Sequence, residues 1–122
     1  MEEDRALSAL AAMANSTRLR ILRALVAAEP QGLTAGQLAE TAEATPSRAS
    51  FHLSSLADAG LVRSTRNARE IVYRAEFAAI GGLVDYIIRD CCRNNQTVIA
   101  CCAPARGCGG NPGDASGVVP ET

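Results

Sequence analysis

Apolar residues recur at helical spacing from the start of the chain. Leu7, Leu10, Ala11 and Ala14 predict a first helix over residues 3–13. The string NSTRLRILRALVAAEP predicts a second, in which Leu19, Ile21, Leu22, Leu25 and Val26 form a broad apolar face interleaved with Arg18, Arg20 and Arg23. Asn15 or Ser16 is placed to cap its start, and Pro30 marks its end. A third, shorter helix lies in TAGQLAET, where Thr34 precedes Gln37 by three residues, the spacing of a capping box. PSRASFHLSSLADAG predicts a fourth helix, with Thr45 as N-cap, Pro46 as first helical residue and Gly60 at its end. Ala49, Leu53 and Leu56 point one way along it, while Ser47, Arg48, Ser50 and Ser54 lie largely off that stripe.

LVRST and EIVYRA then alternate as two strands around the polar turn RNAR, a β-hairpin. Helical spacing returns over residues 76–92 with Phe77, Ile80, Val84, Ile87 and Ile88. Gly81-Gly82 is its weak point, since each interior glycine costs about 1 kcal/mol relative to alanine. From Ala103 onward the chain is rich in Gly, Pro and Ser without periodicity, so 103–122 is expected to be a disordered tail behind a folded domain over 1–102. The expected architecture is mainly α with a β-hairpin wing, a winged helix-turn-helix in the order α-α-α-α-β-β-α.

Composition agrees with one small domain. The chain has 122 residues, 48% of them hydrophobic, enough for a packed core without disulfides or a structural metal. The formal net charge is −1, so nothing global advertises a polyanionic partner. Locally the balance differs: Thr45–Arg74 holds Arg48, Arg63, Arg66, Arg69 and Arg74 against Asp58 and Glu70, a net charge of +3. No leader-like segment opens the sequence, and no apolar run approaches the roughly 18 residues that a membrane span requires. A cytoplasmic location is expected.

A short helix, a tight turn and a second helix with a polar outer face suit the DNA major groove. Donors near the N-terminus of the second helix are what base edges and phosphates require. Ser47, Arg48, Ser50, His52 and Ser54 meet that need, and Arg48 is able to pair bidentately with a guanine edge. Arg66 and Arg69, at the turn of the hairpin, are placed for the flanking backbone or minor groove. Taken alone, this spacing also describes a solvated helix and an ordinary charged turn.

Three strings together, NSTRLRILRAL, SRASFHLSSLADAGLV and LVRSTRNAREIVYRA, resemble the ArsR family of metal- and metalloid-responsive repressors over roughly residues 5–95. Ser50, His52, Leu53, Leu56, Ala59, Gly60, Leu61 and Val62 match the family's recognition segment. The resemblance implies a homodimer built on the first and last helices, binding double-stranded operator DNA at an imperfect inverted repeat. For His52 it leaves two roles open, a base contact or the packing and orientation of the helix.

Sensing sites differ within that family. The C-x-C pair of its best-known arsenic site is absent from TAGQLAE, and the paired His and carboxylate ligands of its zinc and nickel sites are absent too, since His52 is the only histidine. All five cysteines follow residue 90: Cys91, Cys92, Cys101, Cys102 and Cys108. Clustered thiolates without imidazole select soft ions. The pattern resembles a branch of arsenic repressors in which a vicinal pair ending the last helix joins a later cysteine. That implies trivalent arsenic as inducer, held by Cys91 and Cys92 with Cys101 or Cys102 third, and Cys108 a bystander able to substitute. Antimonite or a methylated arsenical fits similar ligands.

Neighbouring residues on a helix point about 100° apart, so Cys91 and Cys92 share an ion only if the helix frays there. Rival readings are incidental thiols at a mobile end, a disulfide-forming redox sensor, and a zinc tetrathiolate, against which C-C spacing counts. An enzyme of thiol–disulfide exchange is disfavoured: the pair ends a helix, where the dipole opposes a thiolate, and no base stands nearby in sequence.

Overall fold

A computed structural model of the protein describes residues 1–102. What the sequence leads one to expect of 103–122, Cys108 included, lies outside the described residues. Contacts divide the chain into two compact units, Met1–Leu83 and one that begins at Val84.

The first unit holds helices α1 (Glu3–Met13), α2 (Ser16–Ala27), α3 (Ala35–Ala42) and α4 (Pro46–Asp58). Strands β1 (Leu33–Thr34), β2 (Val62–Asn67) and β3 (Glu70–Ala75) complete it, with the start of α5 (Phe77–Tyr86). Local chemistry sets most helix starts. Asn15 Oδ1 accepts from Arg18 N at 3.0 Å. Thr34 Oγ1 accepts from Gln37 N at 3.2 Å while Gln37 Oε1 accepts from Thr34 N at 2.9 Å, closing the expected capping box. Thr45 Oγ1 accepts from Arg48 N at 3.2 Å, and Pro46 follows it.

The core gathers Ile21 and Leu25 of α2, Leu38 of α3, Leu53 and Leu56 of α4, and Leu61, all fully buried. Helix α1 corrects the expected face. Ala6, Ala9 and Ala12 are buried, whereas Leu7 and Leu10 are exposed. Methyl side chains let α1 lie close against α2 and α4, which turns its leucines outward.

The sheet also exceeds expectation. β3 stands between β2 and β1, antiparallel to both, so the wing is three-stranded; Leu33 faces Tyr73 and Thr34 faces Val72. The hairpin turn is tighter than RNAR: Asn67 faces Glu70, and only Ala68 and Arg69 connect them, Ala68 at φ +61°. Arg66 therefore sits within β2 opposite Ile71, because pairing continues while backbone N–H and C=O groups find partners.

The last helix is shorter than residues 76–92. α5 stops at Tyr86, Ile87–Cys91 form a π turn, and a further helix α6 (Gln96–Cys101) follows. Arg93 and Asn94, at φ +51° and +57°, reverse the chain between them. Asn95 Oδ1 then caps α6, accepting from Thr97 N at 2.9 Å and Val98 N at 3.3 Å.

Gly32 is where backbone freedom is indispensable. It has φ +79°, and a Cβ there would lie 2.6 Å from Tyr73 O and 2.7 Å from Val72 Cγ1. Gly32→Ala is expected to destabilise the fold by more than about 1 kcal/mol. Gly36→Ala, whose Cβ meets only Thr34 Oγ1 at 4.0 Å, is expected to be neutral or stabilising. Denaturant midpoints of the two variants check the contrast.

Candidate nucleic-acid interface and cysteine cluster

Helix α4 is held by one face and open on the other. Ala49, His52, Leu53 and Leu56 are buried; Ser47, Arg48, Ser50 and Ser54 are exposed. At the N-terminal end of α4 Pro46 has no N–H and Thr45 takes those of Arg48 and Ala49, so the first turn leaves the Ser47 N–H beside the exposed Ser47 and Arg48 side chains. Arg66 on β2 and Arg69 in the turn are exposed on the wing. Arg74, by contrast, is engaged within the fold, donating to Pro30 O at 2.9 Å and to Thr65 Oγ1 at 3.1 Å. Arg63 lies 3.8 Å from Glu76 in an exposed ion pair, which is worth little in stability.

His52 is 8% exposed and faces inward, which favours packing over base contact. Its Nδ1 lies 3.2 Å from an Arg18 guanidinium nitrogen. Guanidinium only donates, so Nδ1 accepts and the ring proton sits on Nε2. Arg18 also donates from Nε to Ala12 O at 2.7 Å. One side chain thus joins the end of α1, the start of α2 and the middle of α4. In the sequence Arg18 is one of three interleaved arginines, and the partner that distinguishes it stands 34 residues away.

Of the four described cysteines, Cys91, Cys101 and Cys102 are exposed and Cys92 is half-buried. The π turn closes with Cys92 N donating to Ile87 O at 2.9 Å, and Asn94 N donates to Ile88 O at 2.8 Å. Cys91 and Cys92 are joined by a thiol hydrogen bond, which raises the Cys92 pKa, as do partial burial and the adjacent Cys91 charge. Cys101 and Cys102 stand at the far end of α6. Among the described residues, no three His, Cys, Asp or Glu side chains are gathered as a metal site.

These features define a winged helix-turn-helix protein of the DNA-binding class. A family model described as a helix-turn-helix domain matches residues 13–65. The transcriptional activator HlyU of Vibrio cholerae is 33% identical over 87 residues, spanning 71% of this chain and 78% of that protein. An ArsR-like transcriptional regulator from Rhodococcus sp. RHA1 superposes with a TM-score of 0.65 at 28% identity, covering 80% of this chain and 89% of its own. NolR from Sinorhizobium fredii superposes with a TM-score of 0.56 at 33% identity, covering 69% and 82%. The chain belongs to the ArsR family of winged-helix regulators. Among the described residues, no helix is long and apolar enough to cross a membrane.

Burial first, then the charges of Arg18 and Arg48, hold the His52 pKa below the ordinary value of about 6.5. The folded state therefore favours neutral imidazole, and the stability this confers is full above pH ~6.5 and lost as pH falls through the depressed pKa. His52 is the only histidine, so an NMR titration of its ring reads the site directly. We expect a midpoint below ~6.5 that rises only part way in Arg18→Met, because burial is the larger cause. An unchanged midpoint in that variant would disprove the contact.

Proposed function

We propose that this regulator is an arsenite-responsive repressor. It binds an inverted-repeat operator as a homodimer and lets go when trivalent arsenic takes thiolates of Cys91, Cys92 and one of Cys101 or Cys102. The observation that carries this reading is the π turn over Ile87–Cys91, which breaks the regular helix at the vicinal pair, where adjacent side chains would otherwise splay about 100° apart. An all-sulfur donor set without imidazole suits a soft, thiophilic ion. Antimonite and monomethylarsenite share that preference.

The chemistry balances without a redox partner. Arsenous acid has three hydroxyl groups; each thiol gives a proton to one of them, water leaves, and an As–S bond replaces As–O. Arsenic remains trivalent. Loss of its proton also removes the thiol hydrogen bond that raises the Cys92 pKa.

Two sulfurs are ready and the third must be drawn in from α6. Moving Cys101 or Cys102 toward the pair strains the Arg93–Asn94 reversal and the hydrogen bonds from Cys92 N and Asn94 N to Ile87 O and Ile88 O. Those bonds terminate the helix that begins at Phe77. Exposed Leu7 and Leu10 on α1, and Phe77 on α5, supply apolar surface for a second copy to cover. A solved Mycobacterium bovis winged-helix domain of this fold is described as homodimeric. In a dimer built on the first and last helices, reshaping the end of α5 alters the separation of the two α4 helices. Operator half-sites about 34–36 Å apart tolerate little such change.

Fluorescence anisotropy on DNA from the protein's own promoter, under reducing conditions, tests this. Arsenite is expected to weaken binding about 10- to 100-fold, the usual range of allosteric coupling. Cys91→Ser and Cys92→Ser are expected to bind DNA normally and ignore arsenite. Release by zinc or by oxidant, with arsenite inert, would replace arsenic by a zinc or thiol-redox signal.

A further inference from the structure

Helix α4 carries one large apolar side chain that the core does not take. Phe51 is 63% exposed, more than any other large hydrophobic residue of the described chain. Helical periodicity puts it on one stripe with Ser47 and Ser54, diametrically across from Ala49, Leu53 and Leu56. It therefore occupies the middle of the face that the DNA-binding role assigns to the major groove. Sequence patterning passed over it because an apolar residue off the buried stripe carries no periodic signal.

Two observations say what such a ring is for. The first is its isolation. Ser47, Arg48, Ser50 and Ser54 around it are polar and exposed, and no other large apolar side chain on α4 is exposed. A surface that docks another protein needs a contiguous apolar patch; a single phenyl among hydrogen-bonding groups is not one. The second is its backing. The ring lies 5.4 Å from the His52 imidazole in an edge-on arrangement, interplanar angle 66°, and His52 is itself held by Arg18. A side chain braced in this way loses little freedom on contact.

The major-groove edge of a base pair offers one apolar group, the C5-methyl of thymine, next to the hydrogen-bond acceptor O4. A braced ring flanked by hydroxyls matches that pairing of methyl and acceptor. We infer that Phe51 selects thymine in each operator half-site by packing its ring against the C5-methyl. The inference rests on α4 being the DNA-reading helix and names one base that it reads.

The experiment begins with selection of binding sites from a random duplex library by the full-length protein. Each thymine of the selected site is then replaced singly by uracil, which removes only the methyl. One thymine per half-site is expected to show a loss of about fourfold on replacement, the worth of one buried methyl group. Phe51→Ala is expected to bind the thymine site more weakly by a similar factor and to be indifferent to uracil there. Phe51→Leu, still apolar, should keep part of the discrimination. A wild-type protein indifferent to every uracil, or a Phe51→Ala protein that keeps the full uracil penalty, overturns the inference. Arg48→Ala separates this failure from a larger one. If it weakens binding while uracil has no effect, α4 reads DNA and only the role of Phe51 is lost. If neither Arg48→Ala nor Phe51→Ala changes binding, α4 is not the reader and both conclusions fall.

Discussion

The outward face of α4 depends on how that helix is seated, and the seat is made by burying Ala49, Leu53 and Leu56 against α2 and α3. Apolar burial of this kind is strong but has no directional preference of its own. Direction comes from polar fixtures at the edges. Thr45 and Pro46 fix where the helix starts, and the Arg18 contact to His52 fixes its middle against the junction of α1 and α2. A helix so held keeps Ser47, Arg48, Ser50 and Ser54 outward without any of them contributing to the core.

Neutral His52 is part of that fixture. A guanidinium donating to Nδ1 requires the lone pair, so a protonated ring would lose the hydrogen bond and place two cations together. The same ring backs Phe51, and the internal contact thus reaches the outer face within one helical turn. The buried contact and the exposed ring are linked here through adjacent side chains.

The C-terminal unit works by different physics. It has little burial to stabilise it: among its described residues none is fully buried, and backbone hydrogen bonds and a cap define its shape. The π turn, the two left-handed residues Arg93 and Asn94, and six-residue α6 are arrangements that small forces are able to rearrange. The vicinal cysteines and helix α4 therefore lie in separate compact units.

Much of this was legible in the residues alone, where the determinants are local. The Asn15, Thr34 and Thr45 caps act over three positions, so their signals stand intact in the sequence. The buried stripe of α4 was visible because one helix face repeats regularly, and the vicinal cysteines were visible as such. What only the tertiary structure decided involves partners far apart in the chain or competition between faces. The two-residue β1 has too few positions to alternate, and exists because β3 offers it an edge. Which side of α1 is buried depended on how closely alanines let it approach its neighbours, not on which of its residues are most hydrophobic. Arg18 became a fixture only when folding brought His52 to it. Sequence encodes short-range hydrogen bonding and periodicity directly; it encodes long-range pairing only through the sum of packing energies, which no single residue displays.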